Sequence, residues 1–563
     1  MVIKKNLLEK IFQGTCISSG LAAGKAFIYT DILLRDHELY TIRPEELPEE
    51  YKRVEQAIDN VRKELTLSAE RVKKELNAQI AGIFLAQVEM LRDPELAREI
   101  KWELKSCLVN AEQIVKRVFR KWELRFRQIQ DERISYRADD IIDLNRRMIR
   151  ALTGISAHML ENLPNNSIIV AKRLLPSDTV FLSRKFAKGI VTEYGGTASH
   201  TALLTRELGI PSIGRISGIL DSVSQNDVLL VNGDTGNLVV NPSDESRKTF
   251  AKELHRKSSY AIRARKECCK PAIFQDGRRV MVMANVSCRD DVEVAVRNGA
   301  DGIGLFRIEN IYLSRKHPPT MEELTKELEN ALAPASGKPI TVRMLDIGGD
   351  KRLTYLNGTG IDDSFLGRRG IRFLLEYPEL LYTQFNALLR LSESFDIKIL
   401  IPMVTFAQEM QLVREMFQEL LQMSKKYRDV PLGAMIETPA SALCAEEFHP
   451  FVDFYSIGTN DLTQYTMAAG RENSTVGNYF VDDHPAIFKL IDLICRESLD
   501  KPVSLCGELA SNKSALRKVL DSDIETLSVA PPFIPEIKQF IREQALSYTS
   551  QLISVNSVTS NGL

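Results

Sequence analysis

At 563 residues the chain is too long for one hydrophobic core, and a usual domain size of about 150 residues divides it into roughly three or four units. Hydrophobic residues are 44% and charged residues 26%, the balance of an ordinary globular protein, while 74 Lys and Arg against 75 Asp and Glu leave no global field to draw in nucleic acid or an anionic membrane. Eight cysteines form no CxxC pair and adjacent Cys268 and Cys269 are hard to bridge to each other without strain, so neither a zinc site nor a disulfide framework is indicated and a reducing cytoplasm is expected.

The amino terminus, MVIKKNLLEKIF, is interrupted by Glu9 and Lys10, and nowhere do about 18 apolar residues run together, so neither export nor membrane insertion is expected. From about Gly14 to Tyr29 glycines and small residues sit in strand-like surroundings. Within it, SGLAAGKA imitates a phosphate loop, but Ser19 replaces the first glycine and Ala26 the magnesium-holding hydroxyl. From about residue 45 to 150 glycine nearly vanishes and apolar positions such as Ile58, Val61 and Leu65 recur at helical spacing, which predicts an inserted helical bundle. The basic, aromatic stretch KRVFRKWELRFRQ belongs to that pattern as a solvated bundle face rather than as an RNA-binding segment.

From about 155 to 242 short β-rich runs return, and DTGN between two valine-rich runs predicts a hairpin. With the first segment they make one α/β unit interrupted by the bundle. In this unit VTEYGGTASHTALLTRELGIPSIG places His200 just after a double glycine and just before an amphipathic run. The glycines let main-chain N–H groups approach the imidazole, and a following helix N-terminus favours negative charge, so a phosphate carried on His200 fits there. The charged stretch from Ser243 to Lys270 predicts a long connecting helix.

After Pro271 eight strand candidates alternate with helical stretches: VMVMANV, GIGLFR, TVRMLD, KILIPMV, LGAMIE, FYSIGTND, PVSLCGE and TLSVAP. Their number and spacing predict a (β/α)₈ barrel. Arg307, Arg343, Glu437, Asn460, Asp461 and Cys506 each fall at the carboxyl end of a candidate strand, the rim where such barrels place their chemistry. Glu437 and Asp461 are hard oxygen ligands suited to Mg²⁺ or Mn²⁺ shared with a phosphorylated or enolate substrate. Arg307, Arg343 and Arg471 suit bidentate clamping of phosphate and carboxylate, and the Cys506 thiol can give or take a proton.

Together GGTASH, GIGLFRIE, RMLDIGGDK, FLGRRGIR, MIETPA, SIGTNDLTQYT and LCGELA, in that order over nearly the whole chain, resemble enzyme I of the phosphoenolpyruvate:sugar phosphotransferase system. The resemblance implies a multidomain α/β fold. A swivelling phosphohistidine domain in two parts, 1–32 and 155–242, holds a helical subdomain at 33–154 that binds the carrier protein HPr. A linker helix at 243–271 leads to a phosphoenolpyruvate-binding, dimerising TIM barrel at 272–563. It implies that His200 accepts the phosphoryl group, that Arg307, Arg343, Arg471, Asn460 and Asp461 hold phosphoenolpyruvate, that Glu437 and Asp461 bind Mg²⁺, and that Cys506 protonates the enolate to give pyruvate. His200 has to be neutral at its attacking nitrogen, so activity is expected to fall at acid pH.

The chain departs from the family pattern at Ala198, where a hydroxyl residue is usual, at Asp363-Ser364 before FLG, at Ile308 and Asn310, and at Gly470 beside Arg471. Alternatives are the nitrogen-related regulatory branch of enzyme I and a low-activity phosphoenolpyruvate-binding regulator. The related dikinase and synthase also need a nucleotide-binding module, for which no stretch of this sequence is left over.

Overall fold

The computed structural model describes residues 9–29, 39–75, 78–128, 137–154, 163–175, 187–194, 209–313, 315–348, 366–424, 430–470 and 476–544, with the single residues 33, 160, 178 and 205. His200 and Arg471 lie outside the described residues, as do Ala198, Asp363 and Ser364. The chain divides into two compact units, Met1–Arg256 and Lys257–Leu563.

The first unit is built on an eight-stranded sheet. Its strands are β1 (Lys10–Gln13), β2 (Thr15–Ser18), β3 (Leu21–Tyr29), β4 (Ser167–Ala171), β5 (Ala187–Thr192), β6 (Ser212–Gly214), β7 (Val228–Asn232) and β8 (Asn237–Val240), in the order β1-β8-β7-β3-β4-β5-β6-β2. The pairs β3–β4, β4–β5 and β5–β6 are parallel, and the remaining pairs are antiparallel. The expected hairpin is β7–β8, with Asn232 opposite Asn237. The segment that imitates a phosphate loop runs into β3, an extended strand with no loop to cradle a phosphate. His200 falls in sequence between the parallel strands β5 and β6.

Among the described residues five α-helices interrupt this sheet between β3 and β4: α1 (Leu47–Glu75), α2 (Ala78–Leu91), α3 (Pro94–Cys107), α4 (Ala111–Gln128) and α5 (Arg137–Thr153). Their apolar stripes converge on one core that includes Val61, Leu65, Phe84, Ile100, Val118 and Leu144. Ile58 packs partly buried against it, so the helical spacing read from the sequence marks the inward face. Buried Asp178 ties bundle to sheet: it accepts from the Tyr29 hydroxyl on β3 at 2.6 Å and from Arg146 Nη1 on α5 at 3.0 Å.

The connector helix spans Asp244–Lys266, and the boundary between the two units falls inside it. Its first turn carries Asp244 and Glu245 and its last turn Arg263, Arg265 and Lys266, the arrangement that complements a helix dipole.

The second unit is a closed barrel. After a short β9 (Ala272–Ile273) come β10 (Arg279–Val286), β11 (Ile303–Arg307), β12 (Pro339–Arg343), β13 (Asp396–Ile401), β14 (Leu432–Ile436), β15 (Phe454–Gly458), β16 (Val503–Cys506) and β17 (Thr526–Val529). Each pairs in parallel with the next, and β17 pairs with β10 to close the ring. All eight predicted strands are present. Buried on both faces, they read as almost continuous apolar runs. Three stop earlier than predicted: β12 ends at Arg343 and β13 at Ile401 although apolar residues follow, and β15 ends at Gly458, where a helix begins. The residues just beyond leave the ladder and build the rim.

Candidate active site

Because the eight strands are parallel, their carboxyl ends share one rim. Arg307 ends β11, Arg343 ends β12 and Cys506 ends β16, while Glu437 follows β14 directly. A helix, Thr459–Thr466, starts where β15 stops and carries Asn460 and Asp461 in its first turn. Arg307 is the register partner of Arg343, and Gly458 that of Cys506. Six of the residues predicted from the sequence are thus brought to one end of the barrel.

The rim is a network of buried charges. Arg343 donates from Nη2 to Glu309 at 2.9 Å and pairs through Nη1 with Asp346 at 3.1 Å, while its buried Nε has no hydrogen-bond partner among the described residues. Burial alone would discourage its charge, but Glu309, Asp346 and Glu437 hold the guanidinium protonated. Arg369 is the clasp. It donates from Nε and Nη2 to the two oxygens of Asp346, both at 2.9 Å, and from Nη1 and Nη2 to the two oxygens of Asp461, at 2.8 and 3.0 Å. Nη1 also reaches the Tyr465 hydroxyl at 3.3 Å. Asp346, Glu309 and Arg369 lie within the motifs RMLDIGGDK, GIGLFRIE and FLGRRGIR, but sequence alone gives them no part in the site. Their only local signal is the spacing Arg343-x-x-Asp346 and the paired arginines of FLGRRGIR.

Glu437 is 1% exposed. Its Oε1 accepts the Met403 N–H at 2.6 Å, and its buried Oε2 has no hydrogen-bond partner among the described residues. Met403 reaches that position in the left-handed backbone region, with φ 57°, a conformation a methionine adopts only when its surroundings hold it there. Burial first, then the charges of Asp461 and Asp346, push the Glu437 carboxyl up to about 8 against the opposing pull of Arg343 and Arg369. An unpartnered buried oxygen that resists ionisation is a place where a cation lowers the energy. Gly458 leaves it room, since a Cβ there would sit 2.7 Å from Glu437 Oε2. The donor set therefore fits a hard divalent ion that takes one or two carboxylates and completes its shell with substrate and water. Among the described residues no group of three or more His, Cys, Asp or Glu could hold a metal without such help.

Gly458→Ala tests this cradle. Its φ of −91° is open to alanine, so the effect is one of space. The expected outcome is a stability loss of about 1–3 kcal/mol in a urea melt from overpacking, together with a weakened response to Mg²⁺. An unaltered Mg²⁺ response contradicts the cradle.

Cys506 is buried, with its Sγ 3.6 Å from the Ser456 hydroxyl and donating to the Ile457 carbonyl at 3.3 Å. Burial pushes the thiol up to about 11, aided by Glu437, while Ser456, Arg343 and Arg307 pull it back. At neutral pH the group is a thiol, a proton donor rather than a thiolate nucleophile. Asn460 turns its Oδ1 to the Glu508 N–H at 2.9 Å, so its amide nitrogen is the end left to donate to an anion.

A barrel rim that joins guanidinium donors, an ionisable pair of carboxylates and a protonated thiol is that of an enzyme acting on a small anionic substrate. Three family descriptions match the chain: "PEP-utilising enzyme, N-terminal" over residues 13–137, "PEP-utilising enzyme, mobile domain" over 163–236, and "PEP-utilising enzyme, PEP-binding domain" over 262–546. The last contains the whole rim and the second contains His200. Phosphoenolpyruvate-protein phosphotransferase of Priestia megaterium is 34% identical over 549 residues, 95% of this chain and 94% of its own. The protein of that name from Geobacillus stearothermophilus is 33% identical over 563 residues, 98% of this chain and 96% of its own. That of Bacillus subtilis is 32% identical over 559 residues, 97% of each chain. The chain belongs to the phosphoenolpyruvate-protein phosphotransferase family.

Proposed function

We propose that this chain moves the phosphoryl group of phosphoenolpyruvate to His200 and then to the carrier protein HPr, releasing pyruvate. The observation that carries this reading is the buried, protonated Cys506 thiol on the same rim as Arg343, whose Nε has no partner among the described residues. Phosphoenolpyruvate brings a phosphate and a carboxylate, and it becomes an enolate once the phosphoryl group leaves. The first requirement calls for guanidinium and amide donors, the second for a proton donor at the enolate carbon.

Arg307, Arg343 and Arg471 hold the two anionic groups, and the Asn460 amide adds a directional donor. Arg369 positions rather than binds: by fixing both oxygens of Asp461 against Asp346 it sets the angle at which Asp461 faces the substrate. Glu437 and Asp461 are the residues to hold Mg²⁺, or Mn²⁺, which supplies neutralisation of charge on the enolate and phosphoryl oxygens. His200, neutral at its attacking nitrogen, receives the phosphoryl group as the bond to the enolate oxygen breaks. Cys506 gives its proton to the enolate carbon, and the thiolate left behind is favoured by the Ser456 hydroxyl and by Arg343 and Arg307.

The five-part division at 1–32, 33–154, 155–242, 243–271 and 272–563, HPr docking on the helical subdomain, a dimer through the barrel and a cytoplasmic location belong to the same proposal. Among the described residues no helix is long and apolar enough to cross a membrane.

Incubation with phosphoenolpyruvate, Mg²⁺ and HPr is expected to yield one pyruvate for each HPr phosphorylated. Pyruvate without HPr phosphorylation contradicts the relay. Cys506→Ala is expected to slow pyruvate release by about 10²–10⁴-fold, the usual worth of a positioned proton donor, with phosphoenolpyruvate affinity little changed. A variant that releases pyruvate at the parental rate removes Cys506 from the mechanism.

A further inference from the structure

The connector helix ends at Lys266, and residues 267–269 form the turn that follows. This turn carries adjacent Cys268 and Cys269, which the phosphoryl transfer does not use. Cys268 is 9% exposed, Cys269 is open to solvent, and their Sγ atoms stand 3.9 Å apart. Gly299, at φ 79°, lies so close to the Cys268 carbonyl and the Cys269 nitrogen that any side chain there would collide with that peptide. Gly299 is itself held, since the buried Lys538 ammonium donates to its carbonyl at 2.8 Å and to Asp301 at 2.9 Å. On the far side of the pair, Arg542 donates to the Lys270 carbonyl at 3.2 Å. The backbone beneath the two thiols is therefore pinned.

A disulfide would need the sulfurs to close to about 2 Å across one pinned peptide. A soft metal ion needs no such movement. Two metal–sulfur bonds of about 2.3 Å at a near-tetrahedral angle set the sulfurs about 3.8 Å apart. The carboxyl end of the 23-residue connector helix adds a field that favours a cation.

We infer that Cys268 and Cys269 form a two-thiolate chelate for a soft, thiophilic divalent ion of the Zn²⁺ or Cd²⁺ class. Binding releases two protons, M²⁺ + 2 RSH giving M(SR)₂ + 2 H⁺, and leaves an uncharged centre. Water fills the remaining positions, and the Arg297 carbonyl, 3.9 Å from Cys268 Sγ, lies nearby. With only two protein ligands the site selects ions whose attraction to thiolate is strong.

The test titrates the intact protein with Cd²⁺ and follows the near-ultraviolet thiolate-to-cadmium absorption. Cys268→Ser, Cys269→Ser and, as a control, Cys288→Ser are compared, each checked for retained phosphorylation by phosphoenolpyruvate as evidence of folding. One tightly bound Cd²⁺ per chain is expected in the parent and in Cys288→Ser, with affinity falling about a hundredfold or more in either vicinal variant because chelation is lost. Equal affinity in all four proteins overturns the site. Independent loss of half the signal in each vicinal variant, with the remaining half as tight as before, overturns the chelate.

Discussion

Arg369→Met is expected to cost the second unit about 3–5 kcal/mol of stability, the usual penalty for removing one partner from a buried ion pair. Asp346 has a side chain only 2% exposed and meets Arg369 through both of its oxygens, so the substitution strips a buried carboxylate of its bidentate partner and leaves it paired with Arg343. Asp461 keeps its place on the helix Thr459–Thr466 but loses the fork that orients it. Equilibrium urea unfolding reads the first effect. The second appears as a fall in kcat larger than any rise in KM, because the orientation of Asp461 matters most where charge develops. Adding Asp346→Asn to Arg369→Met removes the stranded charge, and the double variant is expected to recover part of the stability and none of the activity. A single variant within about 1 kcal/mol of the parent, the range of an exposed pair, would show that the clasp is not a buried one.

Glu437→Gln is expected to flatten the pH dependence of stability while it removes the response to Mg²⁺. The Glu437 carboxyl stands at about 8 in the folded chain against an ordinary 4.5. Between those two values the folded state holds a proton that the unfolded chain has released, so stability is fully present below about 4.5 and declines as pH rises through 8. In metal-free parent protein, melting temperature should therefore fall from pH 6 to about pH 8.5 by more than in the glutamine variant, which has nothing to ionise there. The diagnostic is the slope and not the absolute stability, because the buried amide brings its own cost of about 1–3 kcal/mol where its N–H groups find no acceptor. Mg²⁺ should restore the alkaline loss in the parent and leave the variant unmoved. Pyruvate formation by the variant should fall by about a hundredfold or more. Parallel pH slopes in the two proteins would place the raised acidity elsewhere.

The barrel was legible because its strands are buried on both faces and so read as apolar runs, several of them meeting a polar residue at the same end. Arg307, Arg343, Glu437 and Cys506 could be picked out by that position alone. Arg369 could not, because its meaning lies in meeting Asp346, 23 residues earlier, and Asp461, 92 residues later. The Met403 N–H that holds Glu437 is equally silent in sequence: every residue but proline has a backbone donor, and only the left-handed turn aims this one. The strands end sooner than TVRMLD and KILIPMV predict because apolar residues continue past Arg343 and Ile401 into the rim, and sooner than FYSIGTND predicts because the polar residues after Gly458 open a helix. Conversely, the double glycine before His200 is a strong local signal for a residue that lies outside the described structure.

The most direct measurement of the central claim is transfer of label from ³²P-phosphoenolpyruvate, in the presence of Mg²⁺, to the parent protein and to His200→Ala. The account predicts acid-labile, base-stable label on the parent, discharged by added HPr, and none on the variant. Label of equal amount on both proteins, or none on a parent that still binds phosphoenolpyruvate, would contradict it.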